Sequence, residues 1–578
     1  MTKHGRLLGV LLVLIGLIVT GCVTVPTSGP VVPGGTPGPA EPDNVEIAPE
    51  PPAPGADPTT IVEGYLHAMA SYRGGYDVAR QYLTDRAGAA WHPEDGVQIY
   101  ADGYPIIEAG DRVRLRAPKV GSVAADGGYR TSAATIDIDF GLVQVDGEWR
   151  IDTPPQGLLI PEYLFKRFYQ RVDLYFFDPS YRTLVPDPIY LPTGSATTTV
   201  IRRLLAGPTE WLSPVVVTAV PTGTELSVAA PVDDAGVVEV SLSESIGRLD
   251  ENGRSRLAAQ ITWTLSQLSP SITGVRILNA GQAFAVREQN SDGVVPIDAY
   301  KVLDPIPSTQ RTDLYGSDDI GVGRVTENDG QVRLQPVNGP AGSIGRLDAF
   351  GISQLGDQAA MVSDDRTVLR SAPLGEGTTT TLLTDVTDLG RPQYTRFNEL
   401  WVVATVAGEQ QLIVFVDGEP QVVDTSGAGP ISRIRVSPDG LRAAVVHRTD
   451  DGGDELLIAR ITRTDRVLLD GWQALPFTGA KAEVEIADVG WTGPTMMMVL
   501  VAEGPDVPAK PYTLDQAGAT WQLVGQPDNW NAVSLATSPR RIDPRVMMLS
   551  SDGTVWRYED QFRWPRMVEG LGAIAYPG

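Results

Sequence analysis

Cysteine is all but missing from this chain: Cys22 is the only one in 578 residues. No intrachain disulfide and no cysteine-rich metal site can form. Histidine is nearly as scarce. Of the four, His4 sits in the N-terminal leader, and His67, His92 and His447 are widely separated. Imidazole triads and zinc sites therefore have little to draw on. Basic residues are outnumbered 46 to 71, and the net charge of −25 disfavours nucleic-acid phosphates and anionic headgroups as partners. Phosphate-cradling glycine loops are missing too, since Gly321-Val322-Gly323 stops after two glycines. The apolar or glycine run from Leu7 to Val19 falls short of the roughly 20 residues a membrane span requires.

What that run does form is a secretory leader: Lys3 and Arg6, then the apolar stretch, then Val19-Thr20-Gly21-Cys22. Small residues ending on a cysteine resemble the bacterial lipobox. The resemblance implies removal of residues 1–21 and lipidation of Cys22 (S-diacylglycerol and N-acyl, palmitate-type chains), with the chain held on the extracytoplasmic face of the cell membrane. Loss of Lys3 and Arg6 would take the net charge from −25 to −27. No polybasic patch then helps the lipid hold the protein to the bilayer.

Residues 22–56 read as a tether, with Pro26, Pro30, Pro33, Pro37, Pro39 and Pro42 interleaved with Gly29, Gly34, Gly35 and Gly38. Such composition buries too little apolar surface to fold. Order is expected from Asp57-Pro58, an N-cap followed by a proline suited to the first helical turn. Ile61, Tyr65 and Met69 continue it at helical spacing, and Val78 to Leu83 reads as a second short helix. Alternation then takes over, through Val113–Arg116, Ala134–Phe140 and Leu142–Val145, with Asp146-Gly147 as a hairpin turn before Glu148–Ile151. Residues 57–165 are expected to form a small α+β domain, in an order that resembles the cone-shaped fold of the nuclear-transport-factor-two-like superfamily. Asp137 and Asp139 fall on one face of their strand, most simply the wet one, rather than forming a catalytic pair.

Leu158 to Tyr169 reads as a bridge to a second α+β domain over 170–300. That domain opens with the strands Val172–Phe177 and Leu184–Leu191. A helix follows, capped by Ser195, lined by Val200, Ile201, Leu204 and Leu205, and stopped by Gly207-Pro208. Val237–Leu242, a helix through Leu257, Ile261, Leu265 and Leu268, and Val275–Leu278 complete an order that resembles the GerMN module of cell-envelope proteins. From 313 to 578 short strands recur with turns between them. The clearest is Ile434–Val436, Ser437-Pro438-Asp439-Gly440, Leu441–Val446. Echoes at Phe350, Phe397, Val489 and Leu535 are spaced at about the length of a four-stranded blade, and the hairpin resembles those of TolB-like propellers. The expected fold class is multidomain: two small α+β domains and an all-β propeller of about six blades. Ile320–Val325 and Gln331–Gln335 are expected to share a blade with Ala573–Tyr576.

Catalytic, cofactor and metal residues are not identified. Ser550-Ser551-Asp552-Gly553-Thr554-Val555-Trp556 departs from a sialidase Asp-box because glycine directly follows Asp552, which suits a hairpin turn. Asp450 to Glu455 lacks the alternating ligands of a calcium loop. Leader, tether, cone-like domain, GerMN and propeller in this order resemble the actinobacterial LpqB lipoprotein family over essentially the whole chain. The most specific stretches are Val172–Pro179 and Leu184–Pro192. The resemblance implies a non-catalytic accessory of the MtrA–MtrB two-component system, contacting the extracytoplasmic part of the sensor kinase MtrB and affecting cell-wall homeostasis and division. The residues leave open a glycan- or peptidoglycan-binding envelope protein, and more distantly a glycosidase. Stable attachment needs two or three acyl chains at about 0.8 kcal/mol per buried CH₂. Cys22→Ser is therefore expected to yield uncleaved precursor or soluble protein, read by fractionation and mass spectrometry; normal processing with acyl chains retained would contradict the anchor.

Overall fold

The computed structural model describes residues 49–578 except 71–73, 110–111, 270, 308–309, 451, 478–483, 505–506, 528–529 and 561. The leader, Cys22 and the tether up to residue 48 lie outside the described residues.

The first domain starts as its sequence expects. Asp57 accepts from Thr60 N at 3.1 Å and Thr60 Oγ1 at 2.7 Å, and opens the helix Pro58–Ala70, which buries Ile61, Val62, Tyr65 and Met69. Short helices follow at Asp77–Arg80 and Asp85–Ala90. The sheet is built on the 13-residue strand Arg112–Ala124, which pairs with Thr135–Val145 along one half and Gly96–Tyr100 along the other. Glu148–Thr153 extends the first side through the Asp146-Gly147 turn, where both residues take positive φ (53° and 84°), as a primed hairpin turn requires. Asp137 and Asp139 lie on the exposed face and pair with Arg114 (2.5 Å) and Arg112 (2.9 Å).

One sequence expectation is corrected at the edge of this sheet. Leu158–Pro161 is not a bridge but a buried strand, parallel to Gly96–Tyr100, because four consecutive apolar residues are covered on both faces. The connection is the short helix Glu162–Phe168.

The second domain begins with the hairpin Tyr169–Phe177 and Leu184–Pro192, paired over its full length. The helix Thr197–Ala206 packs Val200, Ile201 and Leu204 inward and ends at Gly207. Ser195 does not cap it: its hydroxyl donates back to Pro192 O at 2.6 Å, and Ala196 occupies the cap position. Val237–Leu242 and Gly274–Asn279 run parallel and are joined across the helix Glu251–Leu265, whose Asp250 cap accepts from Gly253 N at 2.7 Å.

Among the described residues, six small antiparallel sheets complete the chain. Their inner strands, among them Leu347–Ile352, Gln393–Tyr394, Ile431–Val436, Glu485–Trp491 and Ala532–Ser538, meet around a common axis. The recurrence noticed in sequence is a turn at the end of these strands. Ser353, Thr395 and Ser437 each open one, and Gly356, Asn398 and Gly440 take positive φ within it (68°, 59° and 77°). Ring closure mixes the two ends of the propeller region: Ala573–Ala575 forms the innermost strand of the blade containing Val322–Asn328 and Gln331–Pro336. The join runs through Tyr315–Ser317, a strand too short and too small-residued to stand out in sequence. Leu571, Ala573, Ile574, Ala575 and Tyr576 are all buried. Removing residues 571–578 opens the ring and exposes that surface, so the propeller is expected to lose several kcal/mol and melt earlier as a unit. Unchanged melting of the truncated protein would refute closure by this strand.

Candidate interaction site at the domain junction

One strand edge of the second domain contacts both of the other domains. Backbone groups of Leu184–Pro192 alternate in direction, so residues of even number all point away from the hairpin partner. Three of these, Pro186, Pro188 and Pro192, have no N–H, which leaves few donors to satisfy on that edge. Two of its remaining groups bond to the other domains. Tyr190 N donates to Gly127 O in the first domain at 2.9 Å, and Arg442 of the propeller donates to Pro186 O at 2.8 Å.

Arg442 belongs to the Ser437-Pro438-Asp439-Gly440 hairpin. Its side chain and that of Asp439 are completely buried and paired to each other, while Leu441 between them packs into the core of the second domain. The propeller turn most visible in sequence is thus also a docking plug. A buried arginine of this kind demands full pairing, since an unpaired charge there would cost several kcal/mol.

A second contact centres on Asp515. Its Oδ2 accepts from Tyr190 Oη at 2.9 Å, and its Oδ1 accepts from Ala517 N (2.8 Å) and Ala519 N (3.2 Å). Ala519 packs into the core of the first domain, and Thr131 of that domain donates to Ala474 O at 2.7 Å. Tyr190 also joins the rings of Tyr129 and Phe165, at centroid distances of 5.4 and 5.3 Å. Arg171 reaches Thr495 Oγ1 at 2.8 Å. Trp211 donates to Gly471 O at 2.6 Å, and Arg541 stacks over Trp263 at 4.2 Å while donating to Asp304 at 3.2 Å.

Two clefts open beside these contacts. One, of about 670 Å³ between the first and second domains, is lined by Tyr76, Arg80, Tyr169 and Arg203 among others. The other, about 590 Å³, lies between the second domain and the propeller and includes Trp263, Ile297, Pro539 and Arg541.

The residues weighed in sequence for chemistry do not converge. His92 pairs with Glu94 at 3.1 Å and His447 with Glu455 at 3.0 Å, in different domains. Ser550–Trp556 is a hairpin: Asp552 accepts from Ser550 Oγ (2.7 Å) and Thr554 N (3.0 Å), and Trp556 Nε1 donates to Ser550 Oγ at 3.2 Å. Among the described residues no group of three His, Cys, Asp or Glu side chains could hold a metal ion. Cys22 lies outside them. What sequence reasoning missed is the junction itself. The only available sign was the unusual Pro-Asp-Pro strand 186–188, in which Asp187 is buried.

Asp187 accepts from Thr209 N at 2.6 Å and Thr209 Oγ1 at 2.9 Å, beside a small cavity of about 40 Å³ where all three domains meet. Burial pushes its carboxyl up to about 7, against the Thr209 hydrogen bonds and the Arg442 charge. Folded protein therefore keeps this proton up to about pH 7, whereas the unfolded chain releases it near the ordinary value of 3.8. Stability from this group falls as pH rises between those values. Asp187→Asn is expected to flatten that part of the stability–pH curve, measured by denaturant melts at pH 4, 5.5 and 7; an unchanged slope would contradict the burial argument.

Comparison with known proteins follows the same division. Residues 51–166 match the model for the lipoprotein LpqB N-terminal domain, 173–284 the sporulation and spore germination domain, and 323–577 the lipoprotein LpqB beta-propeller domain. Lipoprotein LpqB of Cutibacterium acnes is 30% identical over 596 residues, covering 97% of each chain. That of Streptomyces coelicolor is 27% identical, covering 97% of this chain and 96% of its own. A solved putative TolB from Agrobacterium tumefaciens aligns with 46% of the chain and 93% of its own, at 10% identity and a TM-score of 0.33. With a relative matched from end to end and LpqB models on both flanking domains, the chain belongs to the lipoprotein LpqB family.

Proposed function

We propose that this protein is a lipid-anchored, extracytoplasmic accessory of a two-component sensor kinase, MtrB of the MtrA–MtrB pair, and acts by binding without turnover. The observation that carries the reading is the junction. Buried charged groups of the second domain and the propeller, with backbone, hydroxyl and aromatic groups of the first, are spent on holding the domains together, which builds a single body with broad outer surfaces rather than a reaction centre. Membrane attachment fits family membership, and no helix among the described residues is long and apolar enough to cross a bilayer. Anchoring in the partner's membrane raises the effective concentration, so a weak intrinsic affinity suffices for regulation. The net charge of −25 favours a basic patch on the partner, with binding that weakens as salt screens it.

The cleft lined by Tyr76, Tyr169, Arg80 and Arg203 supports a second reading, an envelope glycan-binding protein, because aromatic faces beside guanidinium donors suit a sugar. The two separate in one experiment. Intact lipoprotein is reconstituted with the kinase in vesicles, and autophosphorylation and binding are followed across ionic strength. Changed kinase output together with salt-weakened binding is expected. Unchanged output with no binding at low salt, alongside retention on peptidoglycan, would replace the accessory reading with the glycan one.

A further inference from the structure

The axis of the propeller is crossed by charge. Arg391 sits just before the first strand of the third blade, and its Nη1 donates to Asp488 Oδ2 at 3.1 Å, Ser534 Oγ at 3.2 Å and Leu535 O at 2.5 Å. Asp488 belongs to the fifth blade, Ser534 and Leu535 to the sixth. Arg435 of the fourth blade donates to Asp488 Oδ1 at 3.3 Å. Burial alone would raise Asp488, yet Arg391 and Arg435 hold it below the usual carboxylate range. One side chain thus fastens four blades across the ring.

The account of charge does not close. Two guanidinium groups, Arg391 and Arg435, share one carboxylate, Asp488, as their ion-pair partner among the described residues, and Arg433 adds a third positive charge on the same strand face as Arg435. Arg435 is only 7% exposed, and its Nε has no hydrogen-bond partner. Arg391 makes its bonds through Nη1 alone, leaving Nε and Nη2 without a protein partner among the described residues. Both side chains line a cavity of about 60 Å³, whose walls also carry Gln393, Thr395 and Thr537. A water needs only about 10–15 Å³ of such space. Arg396 lines it as well, but its Nη1 is taken up by Pro305 O at 2.9 Å and Pro438 O at 3.3 Å. Gly578 is at the rim, and no ion pair joins its carboxylate to these arginines among the described residues. Burial and the neighbouring Arg391 push Arg435 down to about 9, against Asp488, which accords with uncompensated positive charge.

Arg435 also donates from Nη1 to Ile434 O at 2.7 Å, so its Nε is the donor left over. We propose that this channel cavity is a binding site for a small oxyanion, a carboxylate or a phosphate-type group, held between the Nε–Nη2 edge of Arg391 and the Nε of Arg435. The planar guanidinium fork matches two oxygens of such an anion, and in a buried setting a charge-assisted pair is stronger than its counterpart in water. Because the two arginines already tie the third and fourth blades to the fifth and sixth, an anion between them tightens the ring, and occupancy is read as propeller stability.

The test uses the intact lipoprotein in detergent. Thermal melts are recorded with inorganic phosphate and with acetate at constant ionic strength set by chloride, for the wild type, Arg391→Gln, Arg435→Lys and the surface control Arg333→Gln. At tenfold the dissociation constant the wild type and Arg333→Gln are expected to rise by about 3 °C, and the channel variants by less than a third of that. Arg435→Lys keeps the charge and loses the fork, so it serves even if Arg391→Gln fails to fold. Phosphate acting alone assigns a phosphate-type ligand, and both anions acting assigns the wider oxyanion class. In crystals soaked with selenate, an anomalous peak between the two guanidinium groups is expected. Equal shifts in all four proteins, or a selenate peak without a wild-type stability gain, would overturn the proposal.

Discussion

The outward edge of the strand Leu184–Pro192 is where the whole fold is negotiated. Its prolines remove donors that an exposed edge would have to leave to water or to another strand. Of its remaining groups, Tyr190 N donates to the first domain and Pro186 O accepts from the propeller. The side chains continue the same division: Asp187 serves Thr209 within its own domain, and Tyr190 serves Asp515 of the propeller. A partly docked edge would lose the Arg442–Pro186 and Tyr190–Asp515 hydrogen bonds and expose Leu441 to water, so each contact favours completing the others. Specificity of arrangement, more than net stability, is what buried polar contacts of this kind supply.

That constraint shapes what the molecule can do. Three domains that fold around shared polar contacts present fixed relative surfaces. The propeller repeats the strategy at its own axis, where Arg391 ties opposite blades and the C-terminal strand Ala573–Ala575 closes the ring. A ring fastened at both its perimeter and its axis resists opening, which suits a protein whose work is to present surfaces to a partner.

Much of this could be read from the chain beforehand. Strand alternation, the Asp57 cap and the Asp146-Gly147 turn are local signals, and each domain's class followed from them. The blade repeat was legible because three of these turns need a residue at positive φ, and Gly356, Asn398 and Gly440 mark it. Legibility failed where neighbours in space override neighbours in sequence. Leu158–Pro161 reads as a connector until the parallel strand Gly96–Tyr100 covers it. Ser195 fits a cap by type, but its hydroxyl finds Pro192 O instead. Arg442 carries no sequence mark of its burial, which the docked second domain explains. The Arg391–Asp488 contact spans 97 residues and has no sequence mark at all.

The claim on which the account rests is that the described domains are one cooperative body, fastened by the 184–192 edge. Differential scanning calorimetry of the intact protein tests it most directly, with Tyr190→Phe and Arg442→Met beside the wild type. A single transition is predicted for the wild type, splitting into separate transitions when either contact is removed. Independent domain transitions already present in the wild type, unmoved by both substitutions, would contradict it.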